Sequence, residues 1–253
     1  MSIGRLETVF VTGGGGGIGL ATARHCAAEG MNVVLADRNA ERLSATVAAF
    51  EWPVLGVVMD VAETDDWTRA VGEAETRFGS VDVLINGAAI PPALLPILDM
   101  TVDCFDAVIR TNLASVFYGT RAFGPAMRAR GYGHIVNIAS EAGLVPMALL
   151  GDYGAAKFGI VGFSEILRLE LAPAGVGVSV AAPGLTETNM TIGMGMEARW
   201  VGKAIVEGIR ANAAHIITHP GIRTAIEQRT AALLDAIGEP AQPGWITAQT
   251  RWG

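Results

Sequence analysis

The chain alternates short, almost uninterrupted apolar runs with segments whose apolar residues have helical spacing. The runs predict strands at residues 9–13, 32–37, 54–60, 81–86, 134–140 and 176–183, with a seventh candidate at residues 215–219. Strands that are apolar on both faces are typical of a parallel sheet covered by helices on both sides. The alternation therefore predicts the α/β class, with a doubly wound parallel sheet of about seven strands flanked by helices.

Helical segments separate these strands from one end of the chain to the other. We predict them at residues 18–29, 39–50, 64–78, about 101–130, 153–171, near 198–212, and in a last segment ending at residue 237. Hydrophobic residues make up 51% of the 253 residues, which suits one large core, and no linker or repeat interrupts the pattern. We predict a single domain over residues 1–253, with residues 185–199 as a substrate loop or lid and residues 239–253 as a C-terminal tail.

Charge and composition exclude several classes of function. The formal net charge is −7 and there is no basic patch, so we expect no nucleic-acid partner. The most apolar stretch, residues 81–100, is interrupted by Asp82, Asn86 and three prolines, and the N-terminus lacks the pattern of a signal peptide. We therefore expect a cytoplasmic protein without a membrane partner. Cys26 and Cys104 stand in unrelated contexts, which argues against a metal site. The four histidines are scattered and are interpreted as structural: His25, His134, His215 and His219.

The first chemical motif, T-G-G-G-G-G-I-G at residues 12–19, joins the first predicted strand to the first predicted helix. Glycines allow the backbone to turn sharply and to approach a ligand closely. The N-terminus of the helix that follows offers free N–H groups and a positive dipole end to a phosphate. A flexible loop is the alternative, but the position between strand and helix favours dinucleotide binding and a Rossmann fold.

Acidic residues at the ends of the next two predicted strands bear on the cofactor. Asp37 follows the glycine motif by roughly 20 residues, where a carboxylate can accept hydrogen bonds from the adenosine ribose. The same carboxylate would repel a 2′-phosphate, so NAD is favoured and NADP is disfavoured. Arg38 is either a solvated turn residue or a cation that softens this preference. Asp60, before Val61, either contacts the adenine or caps the next helix.

Tyr153 and Lys157 form the second chemical motif, because residues i and i+4 lie on one face of a helix. A cation beside a phenol favours the phenolate, so we expect Lys157 to lower the pKa of Tyr153 and make it usable as an acid or base. Ser140 ends the fifth predicted strand, beyond which ligands bind in folds of this class. Together the three side chains indicate proton transfer at a bound substrate.

In the order and spacing of these motifs the chain resembles the short-chain dehydrogenase/reductase family, in its ordinary form of about 250 residues. The motifs span residues 8 to about 190 and comprise Thr12-Gly13 with Gly17-Ile18-Gly19, Asp37, Asp60-Val61, Asn86, Asn112, Ser140, Tyr153 with Lys157, and Pro183-Gly184 with Thr188. The chain departs from the family after the fourth strand, where Asn-Gly-Ala-Ala at residues 86–89 replaces the usual Asn-Asn-Ala-Gly.

The resemblance implies roles for these residues. Tyr153 would be the general acid in reduction and the general base in oxidation, with Ser140 bound to the substrate oxygen. Lys157 would hold the nicotinamide ribose, and Asn112 would anchor a water that links Lys157 to solvent, unless it only bonds helix backbone. The family also implies a homodimer or homotetramer. The implied cofactor contacts are Gly13, Gly17, Ile18, Gly19, Asp37, Arg38, Asp60, Val61, Asn86, Gly87, Tyr153, Lys157, Pro183, Gly184 and Thr188.

Two apolar segments, residues 141–152 and 185–199, are expected at the mouth of this site. Methionines adapt to irregular ligands, so we predict a bulky hydrophobic secondary alcohol or ketone as substrate, unless these side chains only pack on the sheet or on another subunit. The candidate substrate contacts are Glu141, Leu144, Leu150, Met190 and Met194. The sequence thus predicts an NAD(H)-dependent oxidoreductase. The alternative is a non-catalytic NAD(P)-binding sensor or regulator on the same fold, which would not need the proton-handling residues.

Overall fold

A parallel sheet of seven strands lies within the first of two compact units, Met1–His219. The computed structural model of the chain describes residues 6–188 and 190–238. The strands are β1 Thr8–Thr12, β2 Asn32–Asp37, β3 Val54–Val58, β4 Val83–Asn86, β5 Gly133–Ile138, β6 Val176–Ala182, β7 Thr186–Glu187, β8 Met196–Glu197 and β9 His215–Ile217. The order in the large sheet is β3-β2-β1-β4-β5-β6-β9, with every pair parallel, while β7 pairs only with β8. This arrangement confirms the predicted doubly wound fold.

Helices connect successive strands and cover the sheet. They are α1 Gly17–Ala28, α2 Ala40–Ala48, α3 Thr64–Phe78, α4 Val102–Val108, α5 Ser115–Arg130, α6 Gly151–Leu171 and α7 Ala198–Ala211. A π-helical turn, Ile109–Ala114, joins α4 to α5, so the predicted long helix is continuous but wider in its middle. Strands β3 and β5 end two residues earlier than predicted, because the chain leaves the sheet there to form loops.

Two apolar cores lie on opposite faces of the sheet, as the alternation of side chains along β1 shows. Val9 and Val11 belong to the core that also contains α1 and α7 residues. Phe10 points to the other face, where its ring centroid lies 4.8 Å from that of Phe123 and 6.2 Å from that of Trp67. Because both faces of β1 are buried, neither face needs polar side chains, which explains why its sequence is almost uninterruptedly apolar.

The second unit, Pro220–Gly253, is described as far as residue 238. It contains a short 3₁₀ turn, Pro220–Ile222, and helix α8, Arg223–Asp235. The predicted tail at residues 239–253, with Trp245 and Trp252, lies outside the described residues, and the single-domain assignment stays a prediction. In the described ranges, no helix is both long enough and apolar enough to cross a membrane.

Candidate active site

A cleft of about 790 Å³ opens where the chain leaves the carboxyl ends of the strands. It lies between the neighbouring strands β1 and β4, where the strand order reverses. The loops that follow these two strands lead to opposite faces of the sheet and leave a crevice between them. Most of the predicted site residues line it. They are Gly13, Gly17, Ile18, Gly19, Asp37, Arg38, Asp60, Val61, Gly87, Ser140, Glu141, Leu150, Tyr153, Lys157, Pro183, Gly184, Thr188 and Met190.

The glycine motif forms a tight turn between β1 and α1. Gly13 and Gly17 have φ of 67° and 54°, in the left-handed region that favours glycine. A Cβ on Gly19 would lie 2.5 Å from the carbonyl oxygen of Gly13, so the close approach of strand and helix requires its absence. Gly16 caps α1 without a side-chain hydrogen bond, which leaves the first N–H groups of the helix free for an anion.

Asp37 lies at the end of β2, with its carboxylate held by three donors. The backbone N–H of Gly15 donates to Oδ2 at 3.1 Å, and that of Asn39 donates to Oδ1 at 3.0 Å. The guanidinium of Arg42 forms an ion pair with Oδ1 at 2.7 Å. Sequence reasoning considered Arg38 but missed Arg42, although its place in the first turn of α2, after the cap Asn39, was a usable signal.

Helix α6 and the end of β5 bring the predicted proton-handling side chains together. Lys157 Nζ lies 5.2 Å from the ring centroid of Tyr153, as the spacing of four predicts. The same ammonium donates a hydrogen bond of 2.8 Å to the carbonyl oxygen of Ile138, the last residue of β5. The Ser140 side chain lies close enough to the Tyr153 phenol to lower its pKa by hydrogen bonding. These contacts place a phenol, a hydroxyl and an amine beside one another at the cleft surface.

Burial controls the protonation of this group. Burial raises the pKa of Tyr153 above its ordinary value, and the side-chain hydrogen bond with Ser140 acts in the opposite direction. Burial lowers the pKa of Lys157 from 10.5 to about 7. The shift of Tyr153 is therefore opposite to the one expected from a neighbouring cation, because desolvation of the phenol is the largest influence on its pKa. A phenol that stays protonated at neutral pH is suited to donate its proton.

Asn112 occupies the π-helical turn, fully buried. Its Oδ1 accepts a hydrogen bond from the backbone N–H of Ile90 at 2.8 Å, and its Nδ2 donates to the carbonyl oxygen of Ile90 at 3.0 Å. The side chain thus fixes the loop after β4 rather than the backbone of its own helix. The extra residue in the wide turn allows the amide to face this loop.

Four predicted site residues do not line the cleft, although all four are described. Asn86 is buried under the loop after β4, where its Nδ2 donates to Oδ1 of Asn137 at 2.8 Å. Asn112 is buried behind Ile90. Leu144 and Met194 lie outside the cleft lining, and Met194 is exposed. Asn112 therefore supports the loop after β4 through the backbone of Ile90, whereas the Asn86 side chain bonds to the neighbouring strand β5.

Asp152, directly before Tyr153, is a site residue that sequence reasoning missed. Its side chain is fully buried. Oδ2 accepts from the backbone N–H of Ala93 at 3.0 Å, and Oδ1 accepts from that of Tyr153 at 2.7 Å. The carboxylate therefore joins the loop after β4 to the first turn of the helix that carries Tyr153. A carboxylate at a helix N-terminus is also favoured by the helix dipole.

Residues 185–199, which we call the 185–199 segment, follow β6 and are closed at their base by the parallel pair of β7 and β8. Thr186 and Glu187 pair with Met196 and Glu197, and the backbone N–H of Met196 donates to the carbonyl oxygen of Leu185 at 2.9 Å. Several of its apolar side chains are exposed: Leu185, Met190, Ile192 and Met194. The segment thus has fixed backbone at its base and free apolar surface at its outer end.

Comparison with known proteins points to one family. The family described as short chain dehydrogenase matches residues 7–198. A C alpha-dehydrogenase from Sphingobium sp. (strain NBRC 103272 / SYK-6) is 31% identical over 263 residues, which cover 91% of this chain and 86% of that protein. The apo form of LigD from Sphingobium sp. strain SYK-6 superposes with a TM-score of 0.85 at 34% identity, over 92% of this chain and 98% of that one. A short chain dehydrogenase/reductase from Burkholderia phymatum, solved in complex with NAD, gives a TM-score of 0.86 at 27% identity, over 94% and 97%.

Proposed function

Since this chain belongs to the short-chain dehydrogenase family of oxidoreductases, we propose that it is an NAD(H)-dependent enzyme that interconverts a bulky hydrophobic secondary alcohol and its ketone. The observation that carries the proposal is the meeting of Tyr153, Lys157 and Ser140 in a cleft that also contains a glycine turn at a helix N-terminus. One part of such a cleft can hold a dinucleotide and another part can transfer a proton.

The cleft fits a nicotinamide cofactor by its own geometry. The close approach at Gly19 and the uncapped N-terminus of α1 suit a pyrophosphate. Asp37 suits the adenosine ribose, and Lys157 the nicotinamide ribose. The turn at Pro183-Gly184 lines the cleft beside Thr188, where we place the nicotinamide end. A bound nicotinamide cofactor supplies or accepts the hydride.

Tyr153 supplies the proton in the direction of reduction. Its phenol stays protonated at neutral pH because burial raises its pKa. The Ser140 hydroxyl can share its hydrogen bond with a substrate oxygen and stabilise the charge that develops there. In the direction of oxidation the deprotonated phenolate of Tyr153 accepts the proton, and Lys157 in its charged form favours the phenolate over the phenol. Reduction should therefore persist across neutral pH, whereas oxidation should accelerate as the pH rises.

The preference for NAD rests on Asp37. Its buried carboxylate would repel a 2′-phosphate, and the ion pair with Arg42 reduces but does not remove this repulsion. Arg38 lines the cleft and is exposed, so it is free to face either ribose hydroxyls or solvent. We therefore propose that NADH is preferred over NADPH by a modest rather than an absolute factor.

The proposal can be tested by following the absorbance of the reduced cofactor over a panel of ketones and alcohols. The assay is run once with the NAD pair and once with the NADP pair. The panel should range from small polyols to ketones that carry one or two rings. Turnover of the bulky apolar members with NADH supports the proposal. Turnover of small polyols alone would refute the substrate class. NADH binding without any turnover would favour the regulator on the same fold.

A further inference from the structure

His219 follows β9 and bonds to the backbone just beyond β6. The backbone N–H of Gly184 donates to Nδ1 of His219 at 3.0 Å, and the hydroxyl of Thr218 lies 2.8 Å from the same nitrogen. Nε2 lies 3.1 Å from the carbonyl oxygen of Leu185. Because Nδ1 must accept from Gly184, Nε2 must carry the proton and donate to Leu185. The imidazole is therefore neutral, with both of its nitrogens bound to adjacent residues of one turn.

The same turn is also confined on the side to which a Cβ of Gly184 would project. A Cβ on Gly184 would lie 2.7 Å from Oε2 of Glu141 and 2.8 Å from Cγ of His219, so both side chains contact the Cα of this glycine. The carbonyl oxygen of Leu185 also accepts from the N–H of Met196. Leu185 is thus the point where the ring of His219 meets the closed base of the 185–199 segment.

We propose that His219 is a positioning residue that fixes the Gly184–Leu185 turn and thereby sets the affinity for the nicotinamide half of the cofactor. His219 is not among the residues that line the cleft, whereas Gly184 and Leu185 are. Its effect passes through two backbone hydrogen bonds, to Gly184 and Leu185, and neither bond involves the glycine turn that receives the other half of the dinucleotide. The inference rests on the proposed function, since it takes the turn as the nicotinamide contact.

The interpretation as a merely structural histidine makes a different prediction. A side chain that only stabilised the fold would, when removed, weaken every ligand of the cleft alike. A positioning residue should weaken only ligands that contain the nicotinamide. NADH and ADP-ribose separate these cases, because ADP-ribose keeps the adenosine, the pyrophosphate and the second ribose but lacks the base.

The test is a titration of NADH and of ADP-ribose by calorimetry, with the full chain and its variants. His219→Ala removes both bonds and should weaken NADH about tenfold, since each hydrogen bond contributes about a factor of three. The affinity for ADP-ribose should change by less than about twofold. His219→Asn keeps an acceptor near Nδ1 and His219→Gln keeps a donor near Nε2, so each should recover part of the loss. They also keep the test valid if the alanine variant does not fold.

His215→Ala is the matched control, because His215 lies four residues away on β9 and pairs with Glu165, away from the turn. It should leave both affinities unchanged. Equal weakening of NADH and ADP-ribose in the His219 variants would overturn the inference, and so would no change in either. If the unaltered protein binds neither ligand, the proposed function fails first and the inference fails with it.

Discussion

The two sides of the cleft are built by different means. On one side, residues 138–157, which we call the Tyr153 wall, hold their functional side chains in fixed polar contacts. Lys157 is buried against a strand carbonyl, and Asp152 is buried between two backbone N–H groups. On the other side, the 185–199 segment is fixed through its backbone, while Met190 and Met194 are exposed.

This difference fits the role that we propose for each side. Proton transfer requires donor and acceptor atoms within hydrogen-bond distance, which only packed side chains guarantee. Recognition of an apolar substrate requires apolar area that remains uncovered until the substrate arrives. Substitutions in the Tyr153 wall should therefore change the rate of chemistry by large factors. Substitutions in the 185–199 segment should change substrate affinity by small ones.

The largest effect is expected for Tyr153→Phe, which removes only the phenol oxygen. We expect kcat to fall about 10³-fold, since loss of a general acid costs roughly 10²–10⁴. NADH affinity, measured by fluorescence titration, should stay within about twofold. Tyr118→Phe is the control, because this half-buried tyrosine packs against a core under the sheet. Unchanged kcat in Tyr153→Phe would remove the distinction between the two sides.

Lys157→Met should rank second, with kcat lower by about 10²-fold. It should also change stability in a pH-dependent way. The pKa of Lys157 is about 7 in the folded protein against 10.5 for a free lysine, so between these values the unfolded chain binds more protons. The stability of the unaltered protein therefore rises from pH 7 to pH 10.5. The cost of burying the charged Lys157 side chain is largest below pH 7.

The Lys157→Met variant lacks this cost, so it should gain stability of the order of a few kcal/mol. Loss of the hydrogen bond to the Ile138 carbonyl offsets part of that gain. We expect its melting temperature to exceed that of the unaltered protein at pH 6 to 7, with a difference that shrinks toward pH 10. Lys203→Met, at an exposed position of α7, should show no such trend. A difference that grows with pH would contradict the assigned protonation.

Tyr153 and Lys157 could be identified from the sequence because the pattern that marks them is local. Tyr153 and Lys157 are four residues apart on one helix, and Ser140 follows an apolar run. Asp152 and His219 left no such signal. Their partners are backbone groups, 59 positions away at Ala93 and 35 away at Gly184, and a backbone N–H carries no residue identity. The sign of the Tyr153 pKa shift also depends on burial, which spacing does not give.

A smaller effect is expected for Asp152→Asn, which tests whether the Tyr153 wall acts as one unit. The amide nitrogen cannot accept a hydrogen bond, so either Ala93 or Tyr153 loses its backbone partner. We expect kcat to fall about tenfold, from one buried donor left without an acceptor. Asp103→Asn, at an exposed position in the first turn of α4, is the control. An unchanged kcat would show that Tyr153 is placed by α6 alone.

The smallest effect should come from the 185–199 segment. Met190 lines the cleft and is 42% exposed, whereas Met194 is 54% exposed and lies outside the cleft lining. If a bulky substrate covers a further ~40 Å² of the Met190 side chain, Met190→Ser should raise KM about fivefold, at ~25 cal/mol per Å². Its kcat should change by less than about twofold, because the thioether takes no part in proton transfer.

Met194→Ser supplies the contrast within the same segment, since the two methionines differ in whether they face the cleft. With the segment in its present position, Met194→Ser should leave KM unchanged for large and small ketones alike. Equal rises in KM for both variants would mean that the outer part of the segment closes over the substrate. The fixed base at Leu185 and Met196 permits this, because the backbone N–H of Met194 donates to the carbonyl oxygen of Thr191, within the outer part of the segment, and not to the base. A fall in kcat with either variant would instead show that the two sides of the cleft are coupled.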